Sequence, residues 1–178
     1  MKNSNHNEEK SREKPLAYFI TFRTYGTWHH GDERLSVDRV RNIYGTRKIK
    51  PNKNLKKQMQ EMQRHDSIQF TKEQGDIILE SFVTACNKYN WRLYALHIRT
   101  NHVHLTVKSD NRPEHVMTEL KAYATRLLRK RGAFPLDQKI WSRHGSTKYI
   151  WSPESLYFSS DYTIEQQGQK MAYFFNLS

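Results

Sequence analysis

At 178 residues, with a single cysteine, a formal net charge of +12 and a pI of about 9.8, the chain is long enough for one domain with a real core and cannot be held by an internal disulfide. No apolar run approaches the roughly 18 residues needed to cross a bilayer, and the polar, charged residues 1–14 lack a signal-peptide core. The expectation is a cytoplasmic protein with no membrane contact, whose charge excess points to a polyanion, in practice nucleic acid.

Residues 1–14 read as a disordered tail. Residues 16–25 form a β-branched and aromatic run that predicts the first strand, stopped by Gly26. Residues 28–32 look like a loop. From 32 to 70 charge is dense and apolar residues are sparse, with Arg47, Lys48, Lys50, Lys53, Lys56 and Lys57 gathered around Pro51. This predicts a basic insertion, partly disordered or a short exposed helix, that can lie along phosphates; a solvated loop is the alternative. Thr71 with Gln74 is a capping-box pair. Ile77, Ile78, Phe82, Val83, Ala85 and Cys86 then recur at helical spacing, and the helix should end near 87–90. Cys86 reads as a small buried hydrophobe.

Residues 91–99 predict the second strand, joined by a tight connection to a third over 102–108, as an antiparallel hairpin. Pro113 opens the next helix. Its apolar stripe is Val116, Met117, Leu120, Tyr123, Ala124, Leu127 and Leu128, its other side Lys121, Arg126, Arg129, Lys130 and Arg131, and its stop Gly132. A short strand-like piece surrounds 149–151. Ser152-Pro153-Glu154 starts a last helix, expected to reach about Gln167 and stop at Gly168. The aromatic tail, 171–178, should pack on the domain. The order implies an α+β domain, helices on an antiparallel sheet, spanning 15–170.

The chemistry starts at Asn101-His102-Val103-His104. In a strand, side chains alternate, so His102 and His104 share one face while Val103 and Leu105 take the other. Neutral imidazole is a good ligand for a divalent metal. On the last helix Tyr162 and Gln166 are four residues apart and share a face. A tyrosine becomes a useful nucleophile when a metal withdraws charge from the phosphate it attacks. The Gln166 carbonyl is a hard ligand suited to Mg²⁺ or Mn²⁺.

These pieces resemble the single-tyrosine transposases of the HUH endonuclease superfamily, of the insertion sequence 200/605 class and its REP-associated relatives. The match is carried by Tyr18-Phe-Ile-Thr-Phe-Arg-Thr-Tyr-Gly-Thr-Trp28, by His102-Val103-His104, by Trp141-Ser-Arg-His-Gly-Ser-Thr-Lys-Tyr149 and by Tyr162-Thr-Ile-Glu-Gln166. The resemblance implies a ferredoxin-like sheet with the histidine pair on a central strand. It implies Tyr162 as nucleophile, one divalent metal on His102, His104 and Gln166, and single-stranded or hairpin DNA as partner. Cleavage would leave a 5′-phosphotyrosine and a free 3′-hydroxyl. Relatives act as monomers or as homodimers. Thr106 departs from the family's apolar strand residue, and the 32–70 stretch is outside the shared core. A non-catalytic or domesticated nucleic-acid-binding module with the same fold is the competing function.

Other candidates have plainer readings. Tyr123 belongs to the apolar stripe, which argues for core packing over nucleophilic attack. Glu165 is a solvent-facing acid or a water-mediated metal partner. His144 is assigned to the loop after Trp141, either approaching the DNA backbone or without a role, His97 to packing or hairpin stabilisation, and the adjacent His29 and His30 make a poor joint site. Lys121, Arg126, Arg129 and Lys130, with Lys48 and Lys50, are the candidate phosphate contacts.

Overall fold

The structure is a computed structural model and describes residues 14–28, 52–63, 65–166 and 170–177. The expected tail over 1–13, most of the basic insertion including Lys48 and Lys50, and His29 and His30 lie outside the described residues.

Five strands form one sheet: β1 (Ala17–Thr24), β2 (Arg92–Ile98), β3 (His102–Lys108), β4 (Trp141–Ile150) and β5 (Ala172–Phe175), in the order β4-β1-β3-β2-β5 with every neighbour antiparallel. The first four strands have the ferredoxin-like arrangement, with the histidine strand in the middle. Helices α2 (Lys72–Lys88) and α3 (Pro113–Lys130) pack together, and α4 (Pro153–Glu165) packs on β2 and β3. A short helix, α1 (Lys53–Glu61), is mostly exposed and starts at Asn52, whose side chain accepts from the Leu55 amide.

Local signals explain the boundaries. Thr71 and Gln74 form the reciprocal capping box at the start of α2. Pro113 occupies the first turn of α3, and Gly132 follows its end at φ +72°, a conformation that glycine adopts without strain. Ser152 caps α4 by accepting from the Ser155 amide. The sheet divides two environments. On the α2 and α3 side, Ile20, Leu96, Ile98, Val103, Leu105 and Val107 meet Ile78, Phe82, Val116, Leu120, Ala124 and Leu128, all fully buried. Each of these side chains except that of Ala124 contributes about 1.5–3 kcal/mol by leaving water. Cys86 lies in this layer, and burial pushes its thiol up to about 12.

Three boundaries differ from expectation. β4 runs from Trp141, so His144 is in a strand and not in a loop; this is an edge strand with a solvent-facing middle, which removes the apolar alternation that marks a half-buried strand. The aromatic tail becomes β5, paired to β2 through Ile98↔Ala172 and His97↔Tyr173. Helix α4 ends at Glu165, two residues early, and Gln166 is its C-cap at φ −100°, ψ 16°.

Gly145 lets β4 lie close on β1. A Cβ there would meet the Thr21 carbonyl and the Met117 sulfur, each at 2.5 Å. Gly145→Ala is expected to lower stability by about 1–3 kcal/mol through overpacking, read as a reduced midpoint in denaturant unfolding with an unchanged slope.

Candidate active site

The pleat of β3 puts His102 and His104 side by side, ring centroids 4.7 Å apart and nearly perpendicular. Register supplies their supports. β1 pairs Thr21 with His104 and Arg23 with His102. The Thr21 hydroxyl lies 2.8 Å from His104 Nδ1, and His102 Nδ1–H donates to Asn101 Oδ1 at 2.6 Å. Each ring therefore has its Nδ1 fixed by a neighbour, the arrangement that orients metal-binding histidines. Phe19, two residues before Thr21, stacks on His104 at 5.7 Å and 11°.

Burial and nearby positive charge keep His104 unprotonated. His104 is 8% exposed. Burial, with the nearby charges of His102 and Arg23 adding to it, pushes its pKa down to about 3. A neutral imidazole at neutral pH is the ligand form.

Helix α4 lies over this same face. Ser160, Thr163 and Ile164 are buried beneath it. Tyr162 stays 41% exposed. Its ring is 6.1 Å from that of His104 and 6.0 Å from that of Phe19, edge-on to both. The phenol thus sits beside the histidine pair within one chain. Gln166 closes the helix and is exposed. Among the described residues no group of three or more His, Cys, Asp or Glu side chains is placed to hold a metal ion.

The third histidine on this face, His97, is opposite His104 across the hairpin and fully buried. Its ring bonds to Thr163 and Met171, a larger role than hairpin packing. Tyr123 packs with Tyr89, Lys88 and Arg126 on the other side of the sheet. Glu165 pairs with Lys170 at 2.6 Å.

The basic residues of α3 lie across the sheet from the pair. Arg126 and Lys130 are exposed. Arg129 donates to the Gln138 carbonyl. Lys121 is turned inward: its Nζ donates to the carbonyls of Ser142 and His144 and lies 5.0 Å from the centre of the Phe22 ring, and burial pushes its pKa down to about 8. Thr21, Asn101, Phe19 and Arg23 were missed by the sequence reading. The signal for three of them is the alternation of Phe19, Thr21 and Arg23 in β1, but their partners follow only from the register.

Residues 62–167, more than half of the chain, match the family described as "Transposase IS200 like". The fold is similar to the solved structure of a REP-associated tyrosine transposase bound to a REP hairpin, with a TM-score of 0.51 at 11% identity, covering 93% of this chain and 72% of that one. A looser overlay, TM-score 0.43 at 18% identity, covers 94% of this chain and 98% of a presumed transposase from Deinococcus radiodurans R1. No curated protein matches the chain.

His97 and His104 both titrate below the ordinary 6.5 when folded. Below that pH the unfolded chain binds protons that the folded chain refuses, so stability falls as pH drops through and below 6.5. In urea unfolding with chelator present, the loss between about pH 6.5 and 5, above the carboxylate range, should be on the order of 1 kcal/mol per pH unit for His104 alone. A flat profile there would contradict the buried neutral state.

Proposed function

The chain belongs to the IS200-like transposase family, and from that premise we propose that it cuts and rejoins single-stranded DNA, with Tyr162 as nucleophile and with His102, His104 and Gln166 around one divalent metal ion. The observation that supports this is the Tyr162 ring lying 6.1 Å from the His104 ring, on the face that carries both histidines.

The step is a phosphoryl transfer. The Tyr162 oxygen attacks the scissile phosphorus as its proton leaves, the P–O3′ bond breaks, and the 3′-oxygen departs and takes up a proton. The product is a 5′-phosphotyrosine with a free 3′-hydroxyl. Attack on that linkage by a 3′-hydroxyl restores a phosphodiester and releases the phenol, so rejoining needs no nucleotide cofactor. Mg²⁺ or Mn²⁺, when bound, polarises the phosphate and offsets charge in the transition state.

The chain's own residues do the rest. With the Nδ1 of His102 donating to Asn101, and the Nδ1 of His104 doing the same to the Thr21 hydroxyl, the Nε2 atoms are the ones that would hold a metal. Arg23, paired with His102 in the sheet, and Arg99, whose charge reaches His104, supply positive potential for a phosphate. Phe19 limits where the phenol can move. Tyr162 and the histidine pair lie together in one chain. Single-stranded or hairpin DNA is the substrate; Arg126 and Lys130 would hold its phosphates away from the cut, and Lys48 and Lys50 are further candidate phosphate contacts. Lys121 and Arg129, committed to carbonyls, would contribute field more than contact.

The test uses labelled single-stranded oligonucleotides spanning the DNA that flanks the coding sequence, with Mn²⁺, on a denaturing gel. A covalent protein–DNA band is expected. Tyr162→Phe should lower it by more than about a thousandfold while DNA affinity is kept. The double change His102→Ala, His104→Ala should abolish metal-dependent nicking, and Gln166→Ala should raise the Mn²⁺ concentration required. DNA retardation with no covalent band in the wild type would instead support a non-catalytic binding module.

A further inference from the structure

His97 lies on the face of the histidine pair, and the pair's usual chemistry would make it a candidate third ligand. Its hydrogen bonds rule differently. The Thr163 carbonyl, 3.1 Å from Nδ1, can only accept, so Nδ1 carries the hydrogen. Nε2 then has a lone pair, and it accepts from the Met171 amide at 3.4 Å. Both ring nitrogens are occupied, one as donor and one as acceptor. The ring is fully buried, and its neutral form is the one this arrangement requires.

The two partners belong to different elements. Thr163 is the residue after Tyr162. Its carbonyl is among the last four of α4, which have no partner inside a helix that ends at Glu165. Met171 immediately precedes β5, which pairs with the strand holding His97 itself. An imidazole offers a donor and an acceptor from separate edges of one rigid ring, so a single side chain of β2 fastens the end of the tyrosine helix and the start of the closing strand.

We propose that His97 is a positioning residue: it clamps the C-terminal turn of α4 and the entry to β5 onto β2, and so holds the Tyr162 phenol over the histidine pair. This rests on the reading of Tyr162 as nucleophile, and it takes His97 out of the metal's ligand set.

The test compares full-length wild type with His97→Leu, which loses both bonds, and His97→Asn, which keeps a donor near the Nδ1 position. Two quantities are measured: covalent capture of a single-stranded oligonucleotide with Mn²⁺ at saturating DNA, and amide exchange without DNA. His97→Leu should exchange faster in peptides covering 153–166 and 170–177 while α2 and α3 keep their protection. Its capture rate should fall roughly ten- to hundredfold, the cost of a displacement near one ångström, with DNA affinity and Mn²⁺ requirement unchanged. His97→Asn should recover part of the rate. Capture at the wild-type rate in His97→Leu, or an altered Mn²⁺ requirement, would overturn the proposal. So would loss of protection throughout the molecule, which would make His97 an ordinary core residue. Absence of an adduct in the wild type would count against the Tyr162 reading, and amide exchange would still decide whether His97 holds the helix.

Discussion

The two-residue period of β3 is the constraint on which the site depends. One strand has to serve a hydrophobic layer with Val103, Leu105 and Val107 and a polar layer with His102, His104 and Thr106. A shift of one residue in its pairing with β1 would turn both histidines into the core and expose the apolar set. The apolar face, packed by α2 and α3, therefore fixes the polar one. The register also delivers Thr21 to His104, so the support for the ring comes from the same ladder that builds the sheet.

The layer over the histidines is built differently from the layer beneath. Helices α2 and α3 bury continuous rows of Ile, Leu, Val and Phe. Helix α4 buries Ser160, Thr163 and Ile164 over a face that carries His97, His104 and Thr106. Among the described residues the hydroxyls of Thr106 and Ser160 find no hydrogen-bond partner, a cost of the kind that native interiors mostly avoid. Fewer apolar contacts make this the weaker of the two interfaces. A face that keeps neutral imidazoles beside a phenol cannot be packed as hydrocarbon, and the specific bonds to His97 take over part of what packing does elsewhere.

Features governed by local chemistry could be read from the sequence. The capping box at Thr71, the proline at the first turn of α3, the cap at Ser152 and the alternation around Val103 each depend on residues a few positions apart. What could not be read depends on distant partners. β4 carries Arg143, His144, Ser146 and Lys148 because it is an edge, and only pairing with β1 reveals a strand there. The four residues of β5 become a strand because β2 offers an open side. Lys121 falls on the polar side of α3 by helical spacing, yet β4 folds over it and supplies two carbonyls. Spacing put Tyr162 and Gln166 four residues apart; that the helix ends before Gln166, that the tyrosine lies beside His104, and that His97 bonds to the next residue required the third dimension.

The closing strand has a consequence for how the molecule fails when warmed. β5 is four residues long, lies at the rim of the sheet, and follows the helix that bears the phenol. Apart from Met171, Ala172 and Phe174, which pack on the main core, these two elements add little to the four-stranded sheet and its two helices, and an opening confined to them would cost less than global unfolding. Heat inactivation would then precede melting, and it would be reversible until the core itself gave way.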